Sequence, residues 1–300
     1  MKDKILVIGS ANTDMVMSVA NFPKPGETVM ANDFLRNHGG KGANQAVAVA
    51  RLGGNTSFIA KVGNDSFGTD TIESLKKENI DVRGVTISHT HPSGTALIMV
   101  DAHGENSIIV NAGANGQLCE ADIDACESLV AEAGIVLMQL ETPVKTLAHA
   151  AQMAKKYGAM VVLNPAPAPK EPLPAELLQN VDLLIPNETE SQILSGLGDG
   201  AAIEACVERI KTLGVQHVVV TMGAKGALVP NGNQLTLIPS FKVTAVDTTA
   251  AGDTFCGAVC VALSTGKTLT EAISFANKAA SVTVTRKGAQ MSIPYLSELK

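Results

Sequence analysis

The run Val246-Asp247-Thr248-Thr249-Ala250-Ala251-Gly252-Asp253-Thr254-Phe255 joins small residues and an acid to a helical pattern over Phe255–Leu263. Ala250, Ala251 and Gly252 carry almost no side chain, so a ligand can reach their peptide N–H groups. A helix starting here leaves those N–H groups unpaired at the positive end of its dipole, which makes an anion site. Asp253 falls in the first turn beside that anion, placed to take a proton from a nucleophile that attacks it. The same acid also fits the ordinary preference for carboxylates at helix starts, and the local sequence leaves both readings open.

A second glycine-rich stretch, Gly39-Gly40-Lys41-Gly42-Ala43-Asn44-Gln45, leads into a helix predicted over Ala46–Leu52. Three glycines around a lysine let backbone approach a ligand, again at a helix start, although a plain turn-rich loop needs the same residues. The spacing is not that of a Walker loop. Asn12 and Asp14 follow the strand pattern Ile5–Ile8 and the turn Gly9-Ser10. At the carboxyl end of a strand they grip hydroxyls or serve as turn formers. Glu141 ends the strand pattern Val136–Leu140. Asn187-Glu188-Thr189-Glu190 follows Leu184-Ile185-Pro186 and has the form of a capping box. Thr221-Met222-Gly223-Ala224-Lys225-Gly226 follows Val218–Val220, with glycines suited to tight turns.

The elements that must position these residues alternate. Strands are predicted at Ser57–Val62, Ile135–Leu140, Met160–Leu163, Asp182–Ile185 and His217–Met222. Amphipathic helices fall between them, at Gly68–Glu78, Thr142–Tyr157 and Ala201–Leu213. The rhythm predicts an α/β fold, a mostly parallel central sheet with helices on both faces (Rossmann-like). Two excursions break it, at about 15–37 and 94–111. Extended pieces at Met15–Met17, Thr28–Met30 and Phe34-Leu35, and a hairpin over Thr95–Val110, are expected to pair into a small β-sheet. Such a sheet makes a lid over the strand ends, or a dimer surface through its exposed edges and face. The whole of 1–300 reads as one domain carrying these insertions.

Composition excludes other classes. The net charge is −6, aromatics are 3% with no Trp, and no basic block exceeds a lysine pair, so nucleic-acid binding is not expected. No apolar run approaches the roughly 20 residues of a membrane span. The start, Met1-Lys2-Asp3-Lys4, turns too quickly into a strand pattern for a signal peptide. Five cysteines, odd in number and without a C-x-x-C pair, predict reduced thiols and a cytoplasmic protein. Cys256 and Cys260 read as small buried residues, and His89-Thr90-His91 as an exposed loop rather than a metal handle.

In this order the stretches resemble the ribokinase-like family of carbohydrate kinases over nearly the whole chain. The most specific are Gly39–Gln45, similar to the family's di-glycine motif, and Asp247–Phe255; Asn164-Pro165-Ala166-Pro167-Ala168, Asn187–Glu190 and Thr285-Arg286-Lys287-Gly288-Ala289-Gln290 also match. The resemblance implies ATP-dependent phosphorylation of D-ribose at the 5-hydroxyl, with Asp253 as general base and the amides of Ala250, Ala251, Gly252 and Asp253 as anion hole. By the same match Asn12, Asp14, Gly40, Lys41, Asn44, Glu141 and Asp253 hold the sugar. Asn187, Thr221, Gly223, Gly226, Gly252 and Asn277 line the ATP site. Mg²⁺ accompanies ATP, with Glu190 acting on it through water. Asp247, Thr249, Thr283, Arg286, Gly288 and Ser292 match the site of an activating K⁺ or similar monovalent cation. The resemblance further implies a homodimer formed through the β lid. Ala250 is a departure, since many members have Gly there, but it keeps the N–H. Seven Phe and two Tyr argue against a nucleoside substrate. A kinase of a related sugar such as deoxyribose, and a sugar-binding protein without catalysis, are the alternatives.

Overall fold

Ile5-Leu6-Val7-Ile8 has no polar interruption, and such a strand is stable only with both faces covered. All four side chains are fully buried in β1 (Lys4–Ile8). This computed structural model describes residues 2–232 and 234–299, so Met1, Asn233 and Lys300 of the 1–300 span lie outside the described residues. After β1 the chain leaves the main layer as β2 (Asn12–Ser18) and returns along it as β3 (Asp33–Gly39). It then enters α1 (Lys41–Arg51), β4 (Asn55–Gly63), α2 (Ser66–Lys77) and β5 (Asp81–Ser88). The second excursion is β6 (Gly94–Val100) with β7 (Asn106–Asn111).

Short helices α3 (Glu120–Ala125) and α4 (Glu127–Glu132) lead to β8 (Ile135–Met138), followed by α5 (Val144–Lys156) and β9 (Met160–Leu163). Next come α6 (Ala175–Leu178), β10 (Leu183–Leu184), α7 (Glu188–Ser195), α8 (Ile203–Lys211) and β11 (His217–Val218). Three short strands, β12 (Val220–Thr221), β13 (Gly226–Asn231) and β14 (Gln234–Pro239), precede α9 (Ala251–Ser264) and α10 (Leu269–Thr283).

The main sheet is parallel, in the order β11-β10-β9-β8-β1-β4-β5. Ile5 and Val7 face one hydrophobic layer with α1, α2, α9 and α10, while Leu6 and Ile8 face another with α3 to α6 and α8. The two excursions form a separate four-stranded sheet, β3-β2-β6-β7, in which β2 and β6 run parallel across the two hairpins. Among the described residues no helix is long and apolar enough to cross a membrane.

Four local readings need correction. The strand expected over His217–Met222 is two strands in two sheets, because beyond Val218 the backbone at the sheet edge also pairs with β13 on its free side, while the N–H groups of Val219 and Thr221 still donate to the carbonyls of Leu184 and Pro186. Thr28–Met30 is not a strand; it belongs to the connection between β2 and β3, and Met30 is 85% exposed. Asn12 and Asp14 are strand residues of β2, not turn formers. The helix expected from Ala46 begins at Lys41, because groups outside the helix take its first free N–H donors: Glu141 accepts from Lys41 and Ser10 Oγ accepts from Gly42. β5, the β13–β14 hairpin and α10 had no sequence signal strong enough to be read.

Gly42 lies against the backbone of Gly9 and Ser10, where a Cβ would stand 2.5 Å from the Ser10 nitrogen. Backbone cannot yield cheaply, so Gly42→Ala is expected to cost about 2–4 kcal/mol by displacing α1 from the end of β1. Chemical denaturation checks this, and an unchanged midpoint contradicts it.

Candidate active site

The start of α9 is built by an unusual residue. Ala250, its N-cap, has φ +60, in the left-handed region that favours glycine and costs an alanine about 1 kcal/mol. That geometry turns the chain so that α9 opens directly from Thr248-Thr249 without a side-chain cap on its N–H groups. A Cβ added at Gly252 would meet nothing within 4 Å, so the first turn faces open space. Asp253 is one residue further and only 6% exposed. Both its oxygens accept hydrogen bonds, Oδ2 from Asn44 Nδ2 at 3.0 Å and Oδ1 from Gln45 Nε2 at 3.0 Å. The helix thus starts beside Asp253, which falls in its first turn as the sequence predicts, and the acid is held by side chains of α1 instead of capping its own helix.

A cavity of about 380 Å³ opens over these groups. Asn12, Asp14, Lys41, Asn44, Glu141 and Asp253 form its polar floor, while Ala96, Ile98, Ile108 and Val110 of the small sheet give it an apolar wall. Glu141 Oε2 accepts from the Ser10 hydroxyl at 2.6 Å and the Lys41 N–H at 2.9 Å, which fixes the carboxylate over the start of α1. Asn12 Oδ1 accepts from Asn115 at 2.8 Å. The buried Asn44 Oδ1 has no partner, an acceptor still open to a donor from a ligand.

Three carboxylates thus face one lysine. Burial, then the charges of Glu141 and Asp253, push the Asp14 carboxyl up to about 7. Burial pulls the Lys41 ammonium down, but Asp253, Glu141 and Glu190 outweigh it and hold the group above its ordinary value. Burial also raises Glu190, against the Asn187 N–H and Lys41 that favour its charge. A floor of short amides and carboxylates around one ammonium suits a ligand with several hydroxyls, while the start of α9, without a side-chain cap, suits an anion beside it.

The family model for pfkB family carbohydrate kinases matches residues 2–296. The chain belongs to the pfkB family of carbohydrate kinases. A ribokinase from Haemophilus influenzae is 43% identical over 300 residues, which span 99% of this chain and 97% of that protein. A deoxyribokinase from Salmonella typhi is 38% identical over 296 residues, 98% of this chain and 96% of the other. The structure of Arabidopsis thaliana ribokinase complexed with ribose and ATP superposes with a TM-score of 0.93 at 36% identity, covering 100% of this chain and 98% of that one.

In this kinase the second half of the cavity is lined by Asn187, Glu190, Thr221, Thr249, Ala250 and Gly252. Asn187 and Glu190 form the predicted capping box, each bond 2.8 Å. Gly40, Ala251, Gly223, Gly226 and Asn277 stand outside the lining, and Asn277 spends its amide N–H groups on the carbonyls of Ile238 and Pro239. Of the residues matched to a cation site, Thr249 alone lines the cavity. Asp247 nonetheless joins the two segments, accepting from Thr249 N at 2.9 Å and from Gly288 N at 2.9 Å. Thr283 bonds Thr254, Arg286 pairs with Glu298, and the Ser292 hydroxyl donates to the Ala289 carbonyl.

Sequence reading missed Asn115, which holds Asn12, and gave no role to Gln45, Gln139 and Asn164 behind Asp253. Asn115 and Gln139 carry no local pattern; only the fold brings them in.

The raised Asp14 has a consequence for stability without ligand. Between about pH 4 and 7 the unfolded chain releases this proton while the folded chain keeps it, so the contribution to stability falls as pH rises, up to about 4 kcal/mol. Asp14→Asn lacks this dependence. Its unfolding free energy is expected to gain on the parent's from pH 4 to 7 and then level off; a difference independent of pH contradicts this.

Proposed function

We propose that this kinase transfers the γ-phosphoryl group of ATP to the 5-hydroxyl of D-ribose, with Asp253 as general base. The observation that carries the reading is the pairing of a buried, doubly bonded carboxylate with the uncapped start of α9 in one cavity. The ribokinases among the relatives and the ribose and ATP bound in the Arabidopsis structure support the substrates. As the oxygen–phosphorus bond to ribose forms and the bond to ADP breaks, the hydroxyl proton passes to Asp253. Charge gathering on the transferred group meets the amides of Ala250 to Asp253, already aimed and needing no reorganisation.

Asn12, Asp14, Gly40, Lys41, Asn44 and Glu141 hold the sugar in this reading, with the Asn44 Oδ1 acceptor filled by a hydroxyl. Asn187, Thr221, Gly223, Gly226 and Gly252 take the nucleotide, and Asn277 shapes its adenine end by bracing β14. Among the described residues no group of three or more His, Cys, Asp or Glu could cage a metal. That suits Mg²⁺ carried by phosphates and water, with Glu190 one shell out. Bound there, Mg²⁺ neutralises phosphate charge. Asp247 ties the Thr249 and Gly288 segments together; a K⁺ held by Asp247, Thr249, Thr283, Arg286, Gly288 and Ser292, mostly through carbonyls, would stiffen the anion hole. Exposed Leu35 and Ile109 on the small sheet support a homodimer through the lid. The five unpaired thiols suit a reducing compartment such as the cytoplasm. Deoxyribose is the second reading, favoured by the deoxyribokinase relative.

The test is ADP release with a panel of pentoses, hexoses and their phosphates, in K⁺ or Na⁺. Strong turnover on ribose, raised by K⁺, is expected, and Asp253→Asn should bind ribose yet lose about 10²–10⁴-fold in kcat. Turnover on deoxyribose alone moves the specificity. Absence of turnover on every sugar, or full activity of Asp253→Asn, overturns the reading.

A further inference from the structure

Behind Asp253 lies a chain of side-chain amides, of which only Asn164 reaches the cavity. Gln45, the fifth residue of α1, donates from Nε2 to Asp253 Oδ1 at 3.0 Å and to Asn164 Oδ1 at 3.1 Å. Its Oε1 accepts from Gln139 Nε2 at 2.6 Å, and Asn164 Nδ2 donates to the Ile185 carbonyl at 2.9 Å. Gln45 and Gln139 are fully buried and neither lines the cavity.

The direction of this chain follows from one fact: an ionised carboxylate only accepts. Gln45 must therefore turn its NH₂ toward Asp253, which leaves its carbonyl facing Gln139. Gln139 must in turn present its own NH₂, since two carbonyl oxygens 2.6 Å apart would repel. The Gln139 Oε1 is then left buried with no partner. Apolar side chains of the same shape would avoid that cost, so stability does not account for the arrangement. Orientation does. The amides come from α1, the end of β8 and the end of β9; Gln139 and Asn164 meet on Gln45, and Gln45 alone reaches Oδ1 of the acid.

We infer that Gln45, oriented by Gln139 and Asn164, is a positioning residue that aims the Asp253 carboxylate at the sugar hydroxyl. This rests on the reading of Asp253 as general base. It predicts a defect in turnover instead of binding, because Gln45 and Gln139 lie outside the cavity lining.

The experiment compares Gln45→Met, Gln139→Met and Asp253→Asn by kcat, KM for ribose and ATP, and ribose-induced thermal stabilisation. Gln45→Met is expected to lose about 10- to 100-fold in kcat while keeping KM within about threefold and the full ribose-induced stabilisation. Gln139→Met should lower kcat in the same way by less, and it decides the matter if Gln45→Met fails to fold. Parental kcat in a folded Gln45→Met, or a rise in KM that accounts for the loss, with Asp253→Asn inactive, overturns the inference and leaves the base standing. An active Asp253→Asn overturns both.

Discussion

The close approach of α9 to α1 is the contact on which the site depends. Gly257 of α9 stands where any Cβ would meet the Ala48 methyl and the backbone of Gln45 and Val49. Because that side chain is absent, the two helices pack closely enough for Asn44 and Gln45, at the start of one, to bond the acid in the first turn of the other. Both helix starts open at the carboxyl ends of the strands, where open α/β sheets bind ligands. One supplies a half-buried lysine over the floor, the other a first turn with no side-chain cap. The functional centre is thus a property of helix packing before it is a property of any loop.

Charge is the second theme. Asp14, Glu141 and Asp253 share a small space with Lys41, and burial with its two acidic neighbours pushes the Asp14 carboxyl up to about 7, so near pH 7 it is protonated about half the time. A carboxyl in that state can donate or accept, which suits a hydroxyl-rich ligand better than a fixed anion would. The apolar wall of the small sheet lowers the local dielectric, so the same contacts weigh more once ligand displaces water. Stability without ligand is given up for a floor that ligand completes.

Much of this was legible in the chain. The aliphatic run Ile5–Ile8 announced a doubly covered strand, the strand–helix rhythm announced the parallel sheet, and the small residues before Asp253 announced a helix start beside the acid. What escaped has physical reasons. The left-handed Ala250 is a backbone state that alanine does not advertise. The break at Val219 depends on which neighbour a sheet-edge strand finds. Gln139 and Asn115 act across 94 and 103 residues of sequence, with no local spacing to mark them. Asn277 matched a motif position, yet the fold uses its N–H groups to tie α10 to β14.

A crystal structure with ribose and a non-hydrolysable ATP analogue tests the central claim most directly. The account predicts the ribose 5-hydroxyl about 3 Å from an Asp253 oxygen, in line with the γ-phosphorus, whose oxygens face the amides of Ala250 to Asp253. Ribose bound with another hydroxyl toward Asp253, or a γ-phosphate held away from the start of α9, would contradict it.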